Sequence, residues 1–254
     1  MMTNFTLSHL LHWFTTAQHW TGADGIPHRL LEHVLVSVAS VVAAIVVALP
    51  IGLFVGHRRK GEFLAISAAN VGRAVPSFAL LVLVFALMTR FAPSIAFGYG
   101  PTFVALVLLG IPPILTNAIV GVQGVDPDTV ESARGMGMRE RDVLLQLEVP
   151  LASPLIMGGI RTSALQVVAT ATLMAVVGGG GLGTYILNGI AQEDTVMMVA
   201  GAALVALLAL VTELGLGFLE RAVAPKNERS QRRRRPQPAE SVTSLSGLTA
   251  ERMG

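Results

Sequence analysis

The sequence predicts an all-α integral membrane protein of five spans, and three observations carry that prediction. Of its 254 residues, 52% are hydrophobic and only 13% charged, about half the charged share of a soluble domain, and the mean hydropathy is +0.64. The apolar residues fall in separate blocks, each close to the ~20 residues a helix needs to cross the hydrocarbon core. Ten-residue alternating segments, the sequence mark of a membrane barrel, are absent. Because lipid cannot satisfy backbone polar groups, helices are the only other spanning structure.

Residues 1–29 lack the basic start and uninterrupted apolar stretch of a signal peptide. Phe5, Leu10, Leu11, Trp13 and Trp20 predict a short segment at the membrane interface instead, where tryptophan is favoured. The membrane domain occupies residues 30–220. Its blocks run from Leu31 to Val55, Leu64 to Met88, Thr102 to Val122, Leu155 to Val177 and Val196 to Leu219; a sixth span would need a short extra segment. Pro76, Pro112 and Pro113 lie inside blocks and should kink or loosen them, since each removes a donor and crowds the preceding turn. Residues 221–254, with the basic run from Gln231 to Arg235, read as a disordered, solvated tail.

Short loops rich in Lys and Arg stay in the cytoplasm. With the N-terminus outside, the cytoplasmic side receives Arg58, Arg59 and Lys60, then Arg134, Arg139 and Arg141, then Arg221, Lys226 and the basic tail; only Arg29 and Arg90 fall outside. The C-terminus is then cytoplasmic, and the protein is expected in a bacterial plasma membrane.

Several chemistries are excluded. The stretch GGGGLG, Gly178 to Gly183, formally matches a dinucleotide fingerprint, but a membrane span precedes it where that motif needs a strand. It reads as a flexible turn at the outer end of the fourth span. P-loop, HExxH and GxSxG motifs are absent, so neither ATP binding by this chain nor metalloprotease or serine-hydrolase catalysis is expected. His9, His12, His19, His28 and His33 are irregularly spaced, with no cysteine or carboxylate pattern beside them, and carry no metal assignment. No cofactor and no nucleic-acid partner are expected.

Between the third and fourth blocks lies a charged, glycine-broken stretch. Asp126 suits an N-cap, Pro127 the first helical position, and Val125 and Val130 a hydrophobic staple, so a helix should start at Pro127. Gly135 and Gly137 weaken it, and a glycine there can take the left-handed conformation that closes a helix. A second helix, Met138 to Glu148, places Val143, Leu144 and Leu147 on one face and should stop before Pro150. The residues Glu131, Ser132 and Ala133, three residues, Gly137, nine residues, then Leu147-Glu148-Val149-Pro150 resemble the EAA loop of ABC importer permeases, with Ser132, Leu147 and Val149 as departures from its usual letters. The words LEHVLVSV from Leu31, AVPSFALL from Ala74, PLIMGGIRTS from Pro154 and GGGGLG from Gly178 narrow the resemblance to permeases of glycine betaine, carnitine and choline importers.

The resemblance implies a type I importer transmembrane domain with cytoplasmic coupling helices. It further implies an ATPase subunit that receives Glu131, Ser132, Ala133, Gly137, Leu147 and Pro150, a second permease subunit, and an external binding protein that delivers the solute. Asn70, Arg73 and Ser77 are candidate pore-lining residues, spaced to share one face of a continuous second helix, and an arginine at that depth should face the bundle interior or a wet pore. Arg161 lies six residues beyond Leu155 and Glu213 six before Leu219, each ~9 Å inside its helix end. Their matched depths predict an ion pair. A self-sufficient transporter or channel would need an internal repeat or mid-span acids, and an intramembrane enzyme a nucleophile and base within a span. The sequence offers neither. The spans hold no Trp or Tyr for an aromatic cage, which places solute selectivity in the binding protein.

Overall fold

The computed structural model describes residues 6–223, and among these the chain is helical with no strand. Helix α1 (Leu7–Thr15) and a 3-10 turn (Ala17–Trp20) lead into α2 (Ile26–Arg58). Of the residues expected at the interface, Trp20 is half exposed, while Trp13 is buried between the His19 and Tyr185 rings; Phe5 and the basic run Gln231 to Arg235 lie outside the described residues. Helix α2 is apolar over most of its length and ends at Arg59, which takes the left-handed conformation at φ 51°.

The second block departs from a straight span. It breaks at Val75 and Pro76 into α3 (Glu62–Ala74) and α4 (Ser77–Phe91), bent by 94°. Pro76 has no N–H to continue the ladder and pushes the residue before it out of the helical region, and Val75 sits at φ −73°, ψ 123°. The two pieces still follow one neighbour from end to end. Ala69 of α3 packs with Ile114, Leu115 and Ile119, whereas Leu81 and Val84 of α4 pack with Ala105. The pair therefore runs antiparallel to α5 (Tyr99–Gln123) as a broken crossing rather than a loop that returns. Four further helices are long and apolar enough to span: Ile26–Arg58, Tyr99–Gln123, Glu140–Val177 and Thr195–Arg221.

Helix α5 continues through Pro112 and Pro113. Prolines survive in membrane helices that pack against neighbours, and this stretch is tied to its neighbours by the Ser163 hydroxyl, which donates to Gly110 O at 2.9 Å, and by Arg73 Nη2, which donates to Pro112 O at 3.2 Å. After α5 come α6 (Pro127–Gly135) and α7 (Glu140–Asp142), a π turn (Val143–Glu148) and α8 (Val149–Thr170), which ends in a 3-10 stretch (Ala171–Val177). The expected stop before Pro150 does not occur: residues from Glu140 to Val177 form one helix. A π turn leaves room where the proline ring would crowd the preceding carbonyl. The glycine loop then leads to α9 (Gly183–Ala191) and α10 (Thr195–Val223).

Lipid gives helices no hydrophobic reason to associate, so close contact between small residues must hold them. In α2 the buried positions Ser40, Ala44, Ala48, Gly52 and Gly56 recur every four residues and make one stripe. That stripe lies on α5. A Cβ at Gly52 would stand 2.6 Å from Ala118 Cβ, and one at Gly56 2.9 Å from Val122 Cβ. Residue numbers rise together along this seam, so α2 and α5 are parallel. Along α8 they fall: Gly110 meets Ser163, and Gly121 meets Ala152, so α8 is antiparallel. The end of the bundle that holds Arg58, Arg59 and Lys60 is called the basic end below; α2, α5 and α10 finish there.

The seam makes a prediction. Gly52→Val should cost about 1–3 kcal/mol through overpacking, whereas Gly158→Ala, whose Cβ would meet nothing within 4 Å, should be neutral or slightly stabilising. Thermal unfolding of both variants in one detergent checks the contrast.

Candidate functional site: a folded loop at the basic end

The stretch between α5 and α8 has a small core of its own. Val125, Val130, Ala133 and Val143 are buried together, with Met138 and Leu147 packed on them. The Asp126 carboxylate caps α6, accepting from the Asp128 N–H at 3.1 Å and the Thr129 hydroxyl at 3.3 Å. The other end of α6 is closed by two bonds, Gly137 N–H to Arg134 O at 2.9 Å and Met138 N–H to Ala133 O at 3.2 Å. This reciprocal pair requires a left-handed residue, and Gly137 sits at φ +88°. Space around Gly137 is open, with no atom within 4 Å of an added Cβ; glycine is set by backbone conformation, and the surface above it is free for contact.

Of the residues the motif singles out, Ala133 is buried, Leu147 half-buried, and Glu131, Ser132, Gly137 and Pro150 exposed. The Ser132 hydroxyl returns to Asp128 O at 2.7 Å. The buried members hold the loop's core while the exposed ones form its outer face. Arg134 grips Glu140 with two bonds, Nε to Oε1 at 2.9 Å and Nη2 to Oε2 at 3.0 Å, a planar fork that fixes orientation as well as distance.

The structure adds two residues that motif reading missed. His57, in the last turn of α2, places Nδ1 2.6 Å from Glu148 Oε2 and Nε2 3.1 Å from Glu140 Oε2. Glu148 is 2% exposed. His57 and Glu148 are 91 positions apart, and no local spacing could have joined them. Glu148 carried one faint signal, an acid within the motif's closing Leu147-Glu148-Val149-Pro150 on an otherwise apolar approach to the span.

The three candidate pore residues do not share a face. Asn70 and Arg73 are exposed on α3 and Ser77 begins α4 beyond the break, because the bend at Pro76 redirects the chain between them. Arg73 lies on the surface of this chain with one guanidinium nitrogen on Pro112 O.

Arg161 meets Glu213 through Nε and Oε2 at 3.0 Å and through a second contact between Nη2 and Oε1. Glu220, one helical stretch further along α10, also accepts from Arg161 Nη1, at 2.8 Å. One guanidinium thus serves two carboxylates between α8 and α10.

At the opposite end Glu32 gathers a second network, accepting from Arg29 Nη1 at 2.9 Å, the Tyr99 hydroxyl at 2.9 Å and the Gly181 N–H at 2.8 Å. The glycine loop is pinned there, not free-moving, because its backbone supplies a donor to a carboxylate. Beside it the Tyr185 hydroxyl donates to Asp24 O at 2.6 Å; burial pushes that phenol up to about 12, so it remains a neutral donor.

Residues 48–225 match the family described as binding-protein-dependent transport system inner membrane component. The carnitine transport permease protein OpuCB of Listeria monocytogenes is 37% identical over 81% of this chain and 93% of its own length. The glycine betaine/carnitine/choline transport system permease protein OpuCB of Bacillus subtilis is 37% identical over 81% and 92%. Among solved structures, an inward-facing form of the MetNI methionine ABC transporter superposes with a TM-score of 0.68 at 22% identity, over 77% of this chain and 94% of that one; a likeness at that identity is one of fold. The chain is a multi-pass, all-helical membrane protein, a transport component rather than an enzyme, and it belongs to the family of binding-protein-dependent transport system inner membrane components.

Proposed function

We propose that this chain is the permease subunit of an ATP-driven importer for a quaternary ammonium osmoprotectant such as glycine betaine, carnitine or choline, with the loop between α5 and α8 as its contact for the ATPase. The observation that carries the reading is the loop itself: an exposed helix–turn–helix, closed at Gly137 and stiffened by its own core, in the spacing of the EAA motif. The names of the relatives support the solute class. An ATPase subunit, a second permease and an external binding protein complete the machine. The basic end faces the cytoplasm and the N-terminus lies outside, since Arg58, Arg59, Lys60, Arg134, Arg139 and Arg141 gather at one end. Residues 1–29 form the outer segment, 30–220 the permease domain and 221–254 the cytoplasmic tail.

The absence of a helix break at Pro150 gives the loop a mechanical role. A push from the closing ATPase dimer enters at α6 and α7 and passes along one helix from Glu140 to Val177, which lies against α5. The bundle half then turns as a rigid body, the usual way such transporters exchange inward and outward access. The pore forms between this chain and the second permease, and Arg73, on the surface of α3, faces it.

Uptake of labelled glycine betaine, carnitine and choline into vesicles holding the full complex tests the reading; failure to move any of them with ATP would reject the solute class. Glu131→Lys and Gly137→Trp, both outside the spans, should leave insertion intact while lowering uptake ~tenfold or more, as transport assays with quantified ATPase occupancy would register. Arg73→Leu removes a group that costs ~3 kcal/mol to insert, so expression should hold while uptake falls; unaltered uptake would remove Arg73 from the pore. For the α8–α10 joint, a double-mutant cycle of Arg161→Leu and Glu213→Leu on complex stability should show coupling of at least ~1 kcal/mol, and additive effects would deny the pair a structural role.

A further inference from the structure

One bridge joins the loop to the end of α2 through side chains, from His57 to Glu148 and Glu140. Glu148 is a buried carboxylate whose hydrogen-bonding partner is the His57 ring, and a buried carboxylate left alone is strongly disfavoured. The opposite ring nitrogen faces a second carboxylate, Glu140, itself held by Arg134. A neutral imidazole has one N–H and one lone pair, so it can donate to only one of the two; only the imidazolium donates to both. The groups around the ring are Glu140 from α7, Glu148 from the π turn, Glu131 and Arg134 from α6, and Arg58 and Arg59 beside it at the end of α2. A positive ring is also favoured at a helix C-terminus, where His57 stands.

We infer that His57 is a positioning residue for coupling: as imidazolium it bridges Glu140 and Glu148 and clamps the ATPase-contact loop to the first span. The clamp ties the end of α2, held on the α5 seam, to the start of the helix that runs from Glu140 into α8. Without the ring, Glu148 is left buried with no partner and Glu140 is released from α2, so the clamp opens. The inference rests on the reading of the loop as the ATPase contact.

The chain has no cysteine, so spin labels at Lys60→Cys and Arg141→Cys report alone, in the full chain in lipid nanodiscs. The label-to-label distance distribution of the parent should be narrow. His57→Arg can donate to two carboxylates, so its distribution should stay narrow, while that of His57→Ala should be broad. A His57→Ala distribution as narrow as the parent's, or a His57→Arg distribution as broad as that of His57→Ala, would overturn the clamp. In the assembled transporter His57→Ala should lower solute moved per ATP ~tenfold, and His57→Arg should restore it. A coupling ratio unchanged by His57→Ala would deny the residue its role in coupling. If the labels show the clamp but the parent complex has no ATP-driven uptake, the functional reading fails and the clamp stands.

Discussion

Close approach of α2 to α5 is the contact on which the rest of the structure depends. Apolar side chains are as comfortable in lipid as against one another, so burial alone cannot draw two spans together. Dispersion between backbones can, provided nothing bulky stands between them. The stripe from Ser40 to Gly56 removes bulk from one face of α2 at every turn, and α5 then becomes the axis for the other helices. The broken pair α3 and α4 follows it on one side and α8 on another. Because the seam extends to Gly56, the last turn of α2 is held beside the end of α5. That fixes where His57 stands relative to the loop that follows α5.

Charge is placed with equal economy. Within the bundle ionised groups are costly and persist where they are paired. Arg161 satisfies Glu213 and Glu220 together, joining α10 to α8 in a region that offers few other specific contacts. Glu32 does the corresponding work at the other end, drawing α2, the start of α5 and the glycine loop to one carboxylate. At the basic end Arg134, Glu140, His57 and Glu148 form a chain of alternating charge across three segments.

These contacts make the loop between α5 and α8 stiff. Its own core holds α6 against the start of the following helix, the left-handed Gly137 closes α6 with two bonds, and the helix beyond passes Pro150 unbroken. A partner pressing on Glu131 or the surface over Gly137 therefore moves α8 rather than bending a linker. Within the motif Ala133 and Leu147 face inward to the loop's core, and Glu131, Ser132, Gly137 and Pro150 face outward.

The sequence by itself determined the membrane class, the number of crossings, the cap at Asp126, the left-handed closure at Gly137 and the matched depths of Arg161 and Glu213. Each follows from hydropathy over a span, from turn chemistry within a few residues or from counting along a helix, and such local rules need no knowledge of neighbours. Tertiary structure alone decided the rest. Whether a proline breaks a helix depends on what surrounds it: Pro76 bends the second crossing by 94°, while Pro112, Pro113 and Pro150 are passed, because the packed α5 and the π turn accommodate what the ring removes. The joining of His57 to Glu140 and Glu148, and the addition of Glu220 to the Arg161 pair, rest on side chains brought together from distant positions in the chain, a proximity that exists only once the α2–α5 seam and the α8–α10 contact have formed.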